Sequence, residues 1–257
     1  MLEHYSAEDD TTSANTGIIE TTSTHIPATD AVFTEGWIRR FATTVRATEA
    51  QLTALDQRVG DGDFGTNLRA GLDAAVRVLD QQAAVSALAA GRAAQAGGPL
   101  RTAATAFLDG VGGTSGPLFG LLLEELALAA SGPVLDVTAL RAGLTGGLAA
   151  VQRVGEARPG DKTLVDALYP ACEALRVCPR EAGSRVALAH ASRAAWEGVR
   201  STARLRARRG RASYVGERGR GVPDPGAVGI GLLLSSADAV VTELPPSATN
   251  PVPEQPG

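Results

Sequence analysis

The sequence predicts an all-α fold, a single antiparallel eight-helix bundle or barrel, on three observations. Apolar residues make up 44% of the 257, yet aromatics only 4%. Ala, Leu and Gly carry the bulk, a mix that favours closely packed helices over sheets, which want β-branched and aromatic side chains. Through the middle of the chain the apolar positions recur at three-to-four spacing, and no run alternates as a strand would.

Residues 1–30 are rich in Thr and Ser with scattered acids and predict a disordered leader. Trp37, Ile38, Phe41, Val45, Leu52 and Leu55 then mark one helical stripe, and Leu68, Leu72, Ala75 and Leu79 a second. Further helices are expected over 85–95, 100–108 and 118–130. Asp136 is placed to cap the helix carrying Leu140, Leu144, Leu148 and Val151. Thr163 opens another that ends before Pro179, and a long one runs over 184–204. The last, over 226–244, is apolar most of the way round and is therefore expected to be the most buried. Five prolines in the thirteen residues 245–257 predict a disordered tail. The helical body thus spans 31–244.

A net charge of −4 does not advertise nucleic-acid or acidic-lipid binding. Cys172 and Cys178 lack metal-ligand spacing and read as reduced thiols. The N-terminal residues, with Glu3, Asp9 and Asp10, have neither the basic region nor the apolar run of a signal peptide. The most apolar segments are broken by Glu124-Glu125 and by Asp238, short of a membrane span. The expectation is a soluble cytoplasmic protein with no membrane and no nucleic-acid partner. Of 24 basic residues only Lys162 is lysine.

Four glycine-rich polar loops stand at expected helix boundaries. The first, Leu55-Asp56-Gln57-Arg58-Val59-Gly60-Asp61-Gly62-Asp63-Phe64-Gly65-Thr66-Asn67, crowds three aspartates together. Oxygen-only ligands on a flexible loop suit a hard divalent ion, Mg²⁺ first. Gly60-x-Gly62-x-x-Gly65 has the letters of a dinucleotide fingerprint, but no strand precedes it and Asp61 and Asp63 would repel a pyrophosphate. An EF-hand fails because Leu72 stands where its bidentate Glu belongs. A solvated acidic turn is the plainer alternative.

The second loop, Gly112-Gly113-Thr114-Ser115-Gly116-Pro117, offers free N–H groups and two hydroxyls at a helix start. That is an anion cradle, or equally an ordinary Ser/Thr cap. In the third, Gly155 to Thr163, Lys162 stands where this chain's habit would supply Arg, which hints that a compact ammonium is wanted there. Asp161 or Thr163 as a helix cap is the duller explanation. The fourth runs from Gly210 through Arg211 to Arg218 and on to Asp224-Pro225-Gly226, after a stretch rich in Arg. A polyphosphate ligand or a solvated helix end explains that stretch better than a nucleic acid does, since aromatics are not interleaved.

The order GDGDFGTN, GGTSGPLFG, PGDKTLVDAL, GRASYVGERGRGVPDPGA resembles the nucleotide-binding L subunit, or L domain, of the dihydroxyacetone kinase family. The likeness covers 37–241. It implies an eight-helix barrel that holds ADP or ATP at one end through two Mg²⁺ ions. By position, Asp56, Asp61 and Asp63 are the implied metal ligands. Gly65, Thr66 and Asn67, with Thr114 and Ser115, are the implied phosphate contacts. Gly155, Leu164, Arg211 and Asp224-Pro225-Gly226 line the rest of the nucleotide site. One position departs: members that use a sugar-phosphotransferase donor often carry His where this chain has Phe64, which leaves only its backbone N–H to contribute.

The resemblance also implies a glycerone kinase activity split between chains. The ketone is held covalently by a histidine of a separate K subunit, and a homodimer within the complex is expected. The donor is ATP exchanging freely, or a phosphohistidine phosphocarrier that recharges bound ADP. His4, His25 and His190 all lie outside the four loops. A nucleotide-sensing regulatory subunit is a competing reading, as is a relative acting on a fatty acid or a four-carbon keto sugar.

Overall fold

Helix α1, Asp30–Gln57, buries Trp37, Phe41, Val45 and Leu52 along the stripe that the sequence marks. The computed structural model, to which it belongs, describes residues 30–86, 95–214 and 216–249. All of the expected leader but Asp30, the end of the expected tail and most of the helix expected over 85–95 lie outside the described residues. After α1 come α2 (Phe64–Ser86), α3 (Gly98–Gly110), α4 (Ser115–Ala129) and α5 (Val137–Gly155). Then follow α6 (Val165–Val177), α7 (Gly183–Thr202) and α8 (Pro225–Ser235). No strand occurs among the described residues.

Each helix packs against the next from α1 to α8, and α8 closes the ring on α1. The Trp37 indole N–H donates to the Leu233 carbonyl across that closing seam at 2.7 Å. Asp136 caps α5 as its position predicts, its carboxylate accepting the Ala139 N–H at 2.7 Å. Close approach of α5 to α4 needs Gly143, where a Cβ would lie 2.8 Å from Leu126 Cα. Each fully buried Leu, Ile or Phe in such a core contributes ~1.5–3 kcal/mol.

Helix α8 is buried almost all round, from Ala227 to Leu234. It ends at Ser235, well before the expected Leu244. Two groups stop it. The Arg40 guanidinium takes the Ser236 and Ala237 carbonyls at 2.8 and 2.7 Å. The Ser236 hydroxyl turns back to the Leu232 carbonyl at 2.7 Å. Beyond it the chain runs along α1, pinned by the Thr44 hydroxyl, which accepts the Val241 N–H, and by Gln51, which accepts the Leu244 N–H. The start of the expected tail is also ordered, since Pro246–Thr249 form a turn of helix, α9, that buries Ala248 against α7. No helix among the described residues is long and apolar enough to cross a membrane.

Up-and-down connectivity puts four junctions at one end of the ring: α1–α2, α3–α4, α5–α6 and α7–α8. These are the four glycine-rich loops.

Candidate functional site

The α1–α2 junction is built around Asp56. Its side chain lies in the last turn of α1, only 7% exposed, and accepts the Phe64 N–H at 3.1 Å. Gly60 folds back so tightly that a Cβ there would overlap that carboxylate. Asp61 and Asp63 follow on the exposed side of the loop, and carboxylate oxygens of all three aspartates lie within 4.8 Å of one another.

The first turn of α2 sorts its donors. Asp56 takes the Phe64 N–H, and the Asp63 carbonyl takes the Asn67 N–H at 2.9 Å. Gly65 and Thr66, between them, carry the orphan N–H groups of that turn.

Facing this loop is the start of α4. A Cβ on Gly113, at φ +77°, would lie 3.4 Å from Asn67 Nδ2, so the two loops meet there. Thr114 precedes α4 but makes no side-chain cap. The plain capping explanation of the Thr114-Ser115 pair therefore fails, and the helix start stays open toward the cleft.

The third and fourth loops close the rear. Asp166 in the first turn of α6 accepts the Gly160 and Thr163 N–H groups at 2.6 and 2.8 Å. Asp161 accepts the Arg158 N–H at 2.9 Å. Asp224 caps α8 through the Ala227 N–H at 2.7 Å, and its own N–H donates to the Thr202 hydroxyl at 2.9 Å. From the rim, exposed Arg211 pairs with Asp61.

Together these loops enclose an open cleft of about 920 Å³, solvent at its mouth included. Its wall takes in Asp56, Asp61 and Asp63 with Phe64 and Asn67; Thr114 and Ser115; Gly155 and Leu164; and Arg211 with Asp224-Pro225-Gly226. Two expected residues are not on the wall. Thr66 is exposed, and Gly65 faces α1, where a Cβ would sit 2.8 Å from the Glu49 carbonyl oxygen. Only their orphan N–H groups remain for a ligand. The expectation for Phe64 is corrected as well: its N–H is already taken by Asp56, and its ring, 4% exposed, packs 6.2 Å from that of Phe119.

Residues 58–239 match the DAK2 domain family. The chain belongs to that family. It is similar to the ADP-binding subunit DhaL of the PEP-dependent dihydroxyacetone kinase of Escherichia coli K12. The two are 34% identical over 200 residues, covering 77% of this chain and 91% of that subunit. It is also similar to the L-erythrulose 1-kinase of Mycolicibacterium smegmatis, 38% identical over 195 residues, 73% of this chain and 32% of that enzyme. The chain therefore spans about a third of the length of that kinase. Among solved structures, the dihydroxyacetone kinase of C. freundii in complex with AMP-PNP and Mg²⁺ shares the fold. The TM-score is 0.57 at 23% identity, covering 92% of this chain and 37% of that one.

In this DAK2 domain the aspartate cluster has the chemistry of a hard-cation site. Burial first, and then repulsion from Asp61 and Asp63, pushes the Asp56 carboxyl above its usual range, although the Phe64 N–H holds it down in part. Carboxylates that repel one another, with oxygen the only donor atom, fit Mg²⁺.

Sequence reading left Lys162 out of the site, and the structure places it there. Its side chain is 1% exposed, lines the cleft, and donates to the Thr202 and Val222 carbonyls at 2.6 Å each. Burial drives the ammonium down to about 8, against the pull of Asp224 and Asp166. Asp224 is driven up to about 7 by burial and by the charges of Asp166 and Asp56, with the Ala227 N–H and Lys162 opposing. The signal for Lys162 was present in the sequence, as the lone lysine among arginines. Nothing marked the apolar wall residues Leu118, Val151 and Ala157 apart from core.

Proposed function

We propose that this chain is the nucleotide-binding phosphotransferase subunit of a dihydroxyacetone (glycerone) kinase, working in the cytoplasm with a separate K subunit. One juxtaposition carries the reading: the repelling carboxylates of Asp56, Asp61 and Asp63 stand in one cleft with the uncapped start of α4. A cation cluster beside an anion cradle is what a metal nucleotide requires. The E. coli subunit named for ADP binding, nine-tenths of which this chain spans, supports the same ligand.

In this reading Asp56, Asp61 and Asp63 hold two Mg²⁺. The N–H groups of Gly65 and Thr66, with Asn67, Thr114 and Ser115, hold the phosphates of ADP or ATP. Gly155, Leu164 and Asp224-Pro225-Gly226 enclose the nucleoside, with Leu118 and Val151 as apolar wall. Arg211 reaches in from the rim. When bound, Mg²⁺ neutralises charge on the phosphates and on the transferring group. The chain's own residues orient the nucleotide and exclude water from it.

Phosphoryl transfer also needs the acceptor oxygen in line and about 3 Å from phosphorus. No histidine is among the cleft-lining residues described, so in this reading acceptor positioning falls to the K subunit. ATP exchange or a phosphohistidine carrier supplies the phosphoryl group, and a second copy of the chain completes the complex. The erythrulose kinase relative favours one second reading, a four-carbon keto sugar as acceptor.

The test is turnover by the purified chain with and without a dihydroxyacetone-binding K subunit from a related kinase. Dihydroxyacetone and erythrulose are offered in parallel, with ATP or a phosphorylated carrier as donor. Ketone phosphorylation is expected only with the K subunit. Robust phosphorylation by a partner-free preparation would overturn the half-enzyme reading.

A further inference from the structure

We propose that Lys162 is a positioning residue of the cleft, a buried clamp that fixes its two rear walls to one another. The inference rests on the nucleotide reading. A lysine at 1% exposure is uncommon, and so is a non-glycine residue at φ +61°. Both features carry a cost that an apolar residue on an ordinary turn would avoid. Their location explains why they are kept.

The two carbonyls that Lys162 binds belong to different segments. Thr202 ends α7, where the last carbonyls have no partner within the helix and a cation is favoured. Val222 lies two residues before the α8 cap. Thr202 then passes the linkage on, since its hydroxyl accepts the Asp224 N–H while Asp224 holds the Ala227 N–H. A continuous chain of hydrogen bonds thus runs from the third loop, through the end of α7, to the first turn of α8.

The lysine's backbone is held from the other side. Asp166 grips the N–H groups of Gly160 and Thr163, which flank it. The walls so joined touch at Leu164 and Gly226, where a Cβ on the glycine would lie 3.2 Å from Leu164 Cβ. Removal of the ammonium strands the buried Val222 carbonyl, leaves the Thr202 carbonyl with the Leu205 N–H alone, and releases that contact. The backbone that carries the aspartate cluster, in contrast, is set by bonds within the α1–α2 junction, and Arg211 of the fourth loop reaches Asp61 only from the exposed rim. Lys162 therefore governs the nucleotide walls and not the metal ligands, and the two roles separate by experiment.

Isothermal titration with Mg·ADP and electron paramagnetic resonance with Mn²⁺ alone are run on the wild type, Lys162→Met, Lys162→Arg and Thr202→Val. Thr34→Ala serves as a destabilised control; that threonine bonds the Ala96 carbonyl away from the cleft. Lys162→Met and Thr202→Val should weaken Mg·ADP binding at least tenfold with Mn²⁺ binding unchanged. Lys162→Arg, which keeps the charge and donors, should recover part of the loss. Should Lys162→Met fail to fold, Thr202→Val and Lys162→Arg decide the matter. Losses no greater than in Thr34→Ala, or Mn²⁺ and nucleotide affinities falling together, overturn the clamp. A wild type that binds Mn²⁺ but no Mg·ADP overturns the nucleotide reading and the clamp with it.

Discussion

The carboxylate of Asp56, on the last turn of α1, accepts the backbone N–H of Phe64, the first residue of α2, at 3.1 Å. One side chain thereby starts a helix and supplies a charge to a cluster whose members repel. The two duties conflict, since burial and Asp61 and Asp63 hold the Asp56 carboxyl above its ordinary range. Asp56→Asn keeps an acceptor for the Phe64 N–H and removes the charge. Without metal this variant should melt higher than the wild type, by about 0.5–2 kcal/mol in stability.

The gain should reverse with ligand. ADP should raise the wild-type melting temperature only with Mg²⁺ present, through mass action on the native state. Asp56→Asn, Asp61→Asn and Asp63→Asn should each lose most of that shift. Thermal denaturation with Mg²⁺ or chelator checks it, and equal ADP shifts in both would sink the metal site.

Asp224 predicts a pH dependence. Its folded-state value of about 7 lies above the ordinary carboxylate range, so the native state holds its proton longer than the unfolded chain does. The stability it contributes is complete at pH below about 4 and is lost as pH rises through about 7. Asp224→Asn retains the cap on Ala227 and does not titrate. Relative to the wild type, the variant should therefore gain stability between pH 4 and 7, on the order of 2–4 kcal/mol. Urea denaturation of both proteins across that window reads the difference, and a constant gap would refute the assignment.

The helices were legible because Trp37, Phe41, Val45 and Leu52 repeat at helical spacing and because Asp136 is a strong cap, both local signals. The end of α8 was not. Its stop at Ser235 depends on Arg40 capturing two carbonyls from nearly two hundred residues away, which no window of sequence contains. The site divides along the same line. Glycine and aspartate in one short loop announce the carboxylate cluster, whose backbone geometry is set within that loop. That Gly65 faces α1 and that the Phe64 N–H is taken by Asp56 while its ring packs on Phe119 depend on neighbours outside the loop's own pattern, which the sequence did not show. Lys162 was noticed as an exception in composition, but its partners lie forty and sixty residues downstream.

Gly198 on α7 packs onto the start of α6, where an added Cβ would overlap the Asp166 carbonyl oxygen and lie 2.8 Å from Ala167 Cα. Backbone on both sides cannot yield as a side-chain tip would. Gly198→Ala should cost about 2–4 kcal/mol by overpacking. It should also weaken Mg·ADP binding, because Asp166 orders the third loop. Gly98→Ala, where nothing lies within 4 Å of the new methyl, should be neutral or stabilising by up to ~1 kcal/mol. Equal effects in the two variants, measured by chemical denaturation, would contradict the packing argument.

Phe64→His separates a structural role from a chemical one. Phe64 is 4% exposed, its ring is tilted against Phe119, and a Cβ on Gly229 would lie 2.9 Å from its Cζ. A side chain at this position points into the apolar interior beneath the cleft, where an imidazole would bury a polar nitrogen without a ready partner. The variant should lose about 1–3 kcal/mol of stability. The backbone N–H is held by Asp56 in either case, so the phosphate contacts do not change. Transfer from a phosphohistidine carrier in the reconstituted complex should therefore be no faster than in the wild type. Melting temperature and carrier-dependent rate, measured on the same preparation, decide the point. An unaltered melting temperature with faster transfer would mean that the imidazole turns out of the core to meet the donor, and that the identity of residue 64 selects the source of phosphate after all.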